Sequence, residues 1–285
     1  MTADRVLARN AGRMYFTPMS NRIDFKFLEL RAAGRAGFVA YITAGDPGPA
    51  ATAPLALALE SAGVDIIELG IPFSDPLADG ATIQAAAGRA IAAGTTVAGV
   101  LEIVREIRAT SAIPIVLFTY LNPIYVYGFA AFLSEAAAAG ADGLLILDLP
   151  PDEEAANSEL ACGHGLLPIR LIAPTTPPER VELIAKSAEG FIYYVSREGV
   201  TGEQSELSLG IAAGVAEIRK HTALPVAVGF GISTPAQASE VARQADAVVV
   251  GSAIVRRIAE LGNAPDLPGR IAEFVRPLAA AAHGG

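Results

Sequence analysis

Two acidic residues stand where their chemistry has to be accounted for. Glu68 lies in the run Ile66-Ile67-Glu68-Leu69-Gly70, a carboxylate enclosed by isoleucines and a leucine. Burying a carboxylate is costly unless it is paired or protonated, so Glu68 is either satisfied structurally or used in a reaction. Apolar neighbours raise the pKa of such a group and suit it to proton exchange near neutral pH. The loop that follows, Ile71-Pro72-Phe73-Ser74-Asp75-Pro76-Leu77-Ala78-Asp79-Gly80, is turn-forming at its prolines and at Asp79-Gly80. The ordinary role of Asp79, just before Thr82-Ile83-Gln84, is to cap a helix, and that of Asp75, before Pro76, is to form a turn. Further along, glycines close two apolar runs, Val228-Gly229-Phe230-Gly231-Ile232-Ser233 and Val250-Gly251-Ser252-Ala253. Open backbone N–H groups at a helix N-terminus hold phosphate, and the segment 196–202 (SREGVTG) can add a third side to such a pocket. No Gly-rich turn follows the first apolar run, so neither a Walker loop nor a dinucleotide fingerprint is present. His164, His221 and His283 are scattered without metal-ligand spacing.

These residues need a frame that brings them together. Apolar or β-branched runs recur at Phe38–Thr43, Val64–Leu69, Pro114–Tyr120, Gly143–Leu149, Pro168–Ala173, Gly190–Ser196, Pro225–Phe230 and Asp246–Gly251. Their continuous rather than alternating hydrophobicity is that of parallel strands covered on both faces. Helical segments separate them, among them Ala50–Ala62, Val97–Arg108, Ala130–Ala139, Pro178–Ser187 and Ser208–His221. A phrase also repeats before strands: Ala62-Gly63-Val64-Asp65, Ala139-Gly140-Ala141-Asp142 and Ala245-Asp246. Glycine there marks the end of a helix. About eight strand–helix units predict a (β/α)₈ TIM barrel, an α/β fold in a single domain over residues 23–285, after a loose extension at 1–22. In this fold the site is built from the C-terminal ends of the strands, and phosphate commonly sits after strands seven and eight. Glu68, Asp79 and both glycine turns all fall at such ends.

The 285 residues are 52% hydrophobic and 18% charged, which excludes a mainly disordered chain. With Lys+Arg 21 against Asp+Glu 30 the net charge is −9, unfavourable for a nucleic-acid partner. The single cysteine, Cys162, has no internal disulfide partner and fits a reducing, cytoplasmic setting. The stretch from Ala109 to Ser134 has no charged residue and is long enough to span a bilayer, but Pro114, Asn122-Pro123 and Gly128 divide it into a strand, a turn and a helix start. A soluble protein is expected. Arg5, Arg9, Arg13 and Arg22 precede no apolar core, so a secretory signal is not expected. Met14 and Met19 leave open a later biological start.

Together, 67–80 (IELGIPFSDPLADG), 194–202 (YVSREGVTG), 228–233 (VGFGIS) and 251–254 (GSAI) closely resemble the tryptophan synthase alpha chain family, with support from 44–48 (AGDPG), 148–150 (DLP) and 114–122. The likeness runs in unbroken order from about Phe38 to the C-terminus. It implies retro-aldol cleavage of indole-3-glycerol phosphate to indole and glyceraldehyde 3-phosphate, with no metal or organic cofactor in this chain. It makes Glu68 the general acid/base and Asp79 the partner of the indole N–H. Such a division suits a proton-exchanging acid in an apolar strand end and an ionised acid on a polar loop. By the same resemblance Tyr41, Ile83, Phe118, Tyr120, Leu145, Ile172, Tyr193 and Thr201 line the substrate. Gly202, Phe230, Gly231, Gly251 and Ser252 hold phosphate. The loops 72–80 and 197–205 are lids, and Thr201 meets Asp79 when they close. Pro72, Asp75 and Asp148 face a pyridoxal-phosphate-dependent beta chain that receives indole in an α₂β₂ complex. Position 41, often phenylalanine in relatives, is tyrosine here, and Phe25–Ala33 stands where the family's first helix caps the barrel bottom. A free-standing lyase, a non-catalytic phosphate-binding barrel and another phosphosugar barrel are the competing readings. The last does not account for the Ser74–Gly80 loop.

Overall fold

The computed structural model describes residues 21–149, 151–195, 204–229 and 231–284. All nine strands among them are parallel: β1 (Gly37–Thr43), β2 (Ile66–Gly70), β3 (Ile115–Thr119), β4 (Gly143–Ile146), β5 (Leu167–Pro168), β6 (Arg170–Ile172), β7 (Ile192–Val195), β8 (Val226–Gly229) and β9 (Ala247–Val250). They follow one another in the order β5-β4-β3-β2-β1-β9-β8-β7-β6. The short strands β5 and β6 are two halves of one apolar run, broken at Ile169. One half pairs with β4 and the other with β7, which brings the two ends of the sheet together as a barrel. The sequence predicts this run as a single strand, and the break is what lets it serve both neighbours.

Around the strands lie α2 (Pro49–Ser61), α3 (Ala81–Ala92), α4 (Val97–Arg108), α5 (Leu121–Tyr127), α6 (Phe129–Ala139), α7 (Pro151–Gly163), α8 (Pro178–Ser187), α9 (Gln204–Ile218), α10 (Pro235–Ala242), α11 (Ser252–Leu261) and α12 (Leu267–His283). Helix α4 shows why such segments fold as they do. The Thr96 side chain caps it by accepting from the Gly99 N–H, and Val100, Leu101, Ile103, Val104 and Ile107 form one buried stripe. Helix α6 ends at Gly140 with φ 98°, in the left-handed region that favours glycine. No single helix among the described residues is long and apolar enough to cross a membrane, and the charge-free stretch divides into β3, α5 and α6.

Two cores follow from the strand alternation. Outward-facing residues such as Ile67, Leu117, Tyr194 and Val228 pack against the helices. Inward-facing ones, among them Val39, Tyr41, Val116, Phe118, Leu145 and Ala227, fill the barrel. The floor of this interior is closed by α1 (Arg22–Ala32), whose Ile23, Phe27 and Leu30 share one face and belong to the inner core. Phe27 meets Phe191 with ring centroids 5.6 Å apart. Asn21 caps this helix and its amide donates to the Asp142 carbonyl at 2.9 Å. Asn21 and Arg22 therefore belong to the barrel rather than to a loose extension, and residues 1–20 lie outside the described ones.

The aspartate that ends each repeated phrase before a strand has a structural purpose. Asp65, Asp142 and Asp246 each accept a hydrogen bond from an N–H at the start of an adjacent strand, from Phe38, Ile115 and Val226 respectively, at 2.8–2.9 Å. Each also holds a basic side chain: His283 for Asp65, Arg22 and Arg108 for Asp142, and Arg219 for Asp246. These clamps fix strand register at the floor and leave the opposite rim free to carry the site.

Candidate active site

Strand β2 presents Glu68 to the barrel interior, in register with Tyr41 of β1 and Val116 of β3. The side chain is fully buried, and neither carboxylate oxygen has a hydrogen-bond partner. An isolated buried charge is strongly disfavoured, so burial pushes the Glu68 pKa up to about 8 and holds the group protonated at neutral pH.

The neighbouring loop turns Asp79 toward the same space. Gly80, not Asp79, is the N-cap of α3, and that helix has no side-chain cap. Instead, the Tyr120 hydroxyl donates to Asp79 Oδ2 at 3.1 Å and accepts from the Ala78 N–H at 3.0 Å. Phe73 lies against the Tyr120 ring at 5.4 Å, so one tyrosine after β3 holds three points of the loop. The expectation of an ionised loop acid holds at neutral pH, with a smaller margin than an exposed aspartate has. Asp79 is partly buried, and burial raises its pKa to about 6 against the opposing hydrogen bond from Tyr120.

Tyr41 and Tyr193 join the two acids, because each phenol feels the charge of both Glu68 and Asp79. Burial is the first cause that holds both phenols above their ordinary pKa. Tyr41 packs edge-on to Phe118 with centroids 5.1 Å apart, and its hydroxyl lies 3.4 Å from Thr43 Oγ1. Room for the two rings comes from glycines on adjacent strands. A Cβ at Gly70 would fall 2.2 Å from the Tyr41 hydroxyl, and one at Gly229 would fall 2.5 Å from that of Tyr193. Ile83, on α3, packs against the same inner core.

One expected wall residue is placed differently. Ile172 belongs to the outer core, facing the helices, because its register partner is Tyr194. Leu171, in register with Tyr193, takes the inward face instead. Leu145 points inward as expected, in register with Phe118, and Leu147, one alternation nearer the rim, is partly exposed against the same inner core. The alternation of strand faces, counted outward from Tyr193 and Phe118, is the signal that identifies Leu171 and Leu147. Arg89 was also missed. It makes a bidentate ion pair with buried Asp46 at 2.7 Å, fixing the loop after β1 against α3.

At the opposite side of the mouth, Gly251 is the N-cap of α11 and Ser252 its first residue. The first-turn N–H groups there lack helical partners, as in any anion-binding helix start. Gly231 adopts φ 59° after β8 and is exposed. The next turn is stiffened by Gln237, whose Oε1 accepts from the N–H groups of Ser233 and Thr234. Gly251 also backs onto Tyr41, with Cβ–Cβ separation 3.2 Å for an added methyl, so this helix start adjoins the tyrosine-lined space. Thr201, Gly202 and Phe230 lie outside the described residues. Of the expected partner-facing residues, Asp75 accepts from the Ser74 hydroxyl, Asp148 accepts from the Leu121 N–H at 2.7 Å, and Pro72 is half-buried. Leu77, Tyr125 and Val126 project from the loops after β2 and β3 and are 90%, 73% and 77% exposed.

Comparison with known proteins agrees with this arrangement. The family model described as tryptophan synthase alpha chain matches residues 27–282. Tryptophan synthase alpha chains of Geobacter sulfurreducens and Alkalilimnicola ehrlichii are 49% and 50% identical, over 90% and 89% of this chain and 97% and 93% of theirs. The tryptophan synthase alpha subunit of Legionella pneumophila superposes with a TM-score of 0.85 at 40% identity, covering 92% of this chain and 98% of that one. A chain of tryptophan synthase from M. tuberculosis gives 0.83 at 35%, covering 92% and 99%. With a glutamate buried at one strand end, an aspartate on the adjoining loop and a matching family model across nearly the whole barrel, the chain belongs to the tryptophan synthase alpha chain family.

Proposed function

We propose that the barrel mouth cleaves indole-3-glycerol phosphate to indole and glyceraldehyde 3-phosphate and passes the indole to a beta chain. The observation that carries this reading is the buried, unpartnered Glu68, whose burial favours the protonated form, facing the same tyrosine-lined space as Asp79. Glu68 gives its proton to C3 of the indole ring, and the ring nitrogen becomes a cationic iminium N–H. Asp79, held by Tyr120, accepts the hydrogen bond from that N–H and offsets its charge. Glu68, now a carboxylate, removes the proton of the side-chain hydroxyl next to the ring. The carbon–carbon bond breaks, its electrons return to the ring, and an aldehyde forms, which leaves Glu68 protonated for the next cycle. Tyr41, Phe118, Tyr120, Leu147, Leu171 and Tyr193 enclose the ring, while the start of α11 and the turn at Gly231 hold the phosphate through N–H groups. No step uses a metal or an organic cofactor of this chain. The pyridoxal phosphate of the pathway's next reaction belongs on the beta chain.

The exposed apolar side chains Leu77, Tyr125 and Val126, beside Pro72, Asp75 and Asp148, favour docking of that partner over the mouth in an α₂β₂ complex. Indole formation measured with and without a beta chain tests both parts. Indole release that rises strongly on mixing, with a stable complex, is the result this reading requires. Release unchanged by the partner means a free-standing lyase, and no release even with saturating partner leaves only a phosphate-binding barrel.

A further inference from the structure

Glu68 becomes a carboxylate once in each proposed turnover, yet in the resting site both of its oxygens lack a partner. A buried charge without a donor is costly, so an O–H that meets the carboxylate as it forms would ease the step. The geometry of β1 and β2 supplies one. Tyr41 is in register with Glu68 on the adjacent strand. Two residues farther along β2, on the same face, Gly70 has no side chain, and the Tyr41 ring leans into that slot. A Cβ at Gly70 would fall 2.2 Å from the Tyr41 hydroxyl. Same-face neighbours on a strand stand about 6.6 Å apart, a span that a glutamate side chain largely covers. The ring is held there by Phe118, edge-on at 5.1 Å, and by Gly251, whose missing side chain admits the Tyr41 Cβ. Its one hydrogen-bond neighbour among the described residues is Thr43 Oγ1, at 3.4 Å. Either atom of that pair could donate, so Thr43 can supply the proton and leave the phenol's own for Glu68. Tyr193, the other phenol that feels the charge of Glu68, stands across the barrel on β7 and leans over Gly229. Asp79 and Tyr120, the remaining titratable groups around Tyr41, are bonded to each other.

We propose that Tyr41 is a positioning residue of the lyase reaction, whose hydroxyl donates to one oxygen of the Glu68 carboxylate as the charge forms. That bond lowers the cost of the charge and leaves the other oxygen to take the proton of the substrate's hydroxyl. When Glu68 is protonated again, the phenol returns to Thr43. Tyr41 itself keeps its proton throughout, because burial holds the phenol above its ordinary pKa. The contribution to the rate rests on the lyase reading of the mouth, whereas the contact between the two side chains does not.

NMR of the whole protein, isotopically labelled at its glutamate carboxyl carbons, follows the contact without turnover, with Glu68→Gln assigning the signal. Tyr41→Phe, which keeps the ring and its packing, raises the Glu68 pKa by about one unit, and Tyr193→Phe raises it less. In indole release with saturating beta chain, Tyr41→Phe moves the alkaline limb of kcat/KM upward by the same amount. It also lowers kcat about tenfold with KM little changed, the scale of a hydrogen bond to a charged group. A ring that only packed would move neither the titration nor the limb. An identical Glu68 titration in wild type and Tyr41→Phe, or a larger shift in Tyr193→Phe, overturns the contact whether or not the protein releases indole. A shifted titration with unchanged kcat overturns the positioning role. A shifted titration in a protein that releases no indole keeps the contact and overturns the lyase reading instead.

Discussion

Glu68 keeps both oxygens without a partner, so its ionisation is opposed by the whole of its surroundings. Its folded-state pKa of about 8 lies above the ordinary 4.5, so the stability it contributes is complete below pH 4.5 and is lost as the pH rises through 8. At roughly 1.4 kcal/mol per unit, the loss reaches up to about 5 kcal/mol in alkaline solution. Glu68→Gln should therefore abolish indole release yet raise the thermal midpoint above pH 8, which calorimetry at pH 6 and pH 9 would read. A midpoint unchanged at both values would mean that the carboxyl is solvated. The proposed reaction needs Glu68 protonated and Asp79 ionised, so kcat/KM should fall below about pH 6 and above about pH 8. Asp79→Asn should erase the acidic limb and lower kcat by about 10²–10³, the scale of one preorganised charge contact. A surviving limb near pH 6 would assign it to another group. Gly70 shows how the smallest residue shapes the same site: Gly70→Ala drives a methyl into the Tyr41 hydroxyl, and the ring must leave its place beside Glu68. Loss of activity greater than loss of stability is the expected pattern, and Tyr41→Phe in the same background, which removes the clashing oxygen, should restore part of it.

The strands and helices were largely legible in the sequence, since α4 and α8 have the bounds that their patterns predict and all eight apolar runs contain strand. The interruption of one run at Ile169 was not, because continuous hydrophobicity says nothing about which neighbour each half will pair with. Glu68 was visible as a carboxylate among isoleucines. The true partner of Asp79 was hidden, because Tyr120 is distant in sequence and only the closed barrel brings it to the loop. Ile172 was misplaced for a related reason: the choice of inward face depends on register, and a one-residue shift reverses it. At the floor, Asp142 combines a strand N–H with Arg22 and Arg108. Asp142→Ala leaves Arg108 mostly buried without its counter-charge, and it should cost about 3–5 kcal/mol, the usual penalty for breaking a buried pair. Urea unfolding of the variant at pH 7 measures this, and a cost under 1 kcal/mol would make the clamp a surface pair in effect.

For the molecule as a whole, the division between floor and rim has practical weight. Clamped aspartates and α1 close one end, while Glu68, Asp79 and exposed apolar side chains gather at the other. Both ends of the described chain meet the closed end: Asn21 is bonded to Asp142 and Gly165, and His283 to Asp65. A surface anchor attached beside Asn21 or beside His283 would thus hold every copy with its opening turned to the bulk solution. Immobilised at either of these two places, the protein should capture a beta chain equally well, and a tether at Tyr125 should block it.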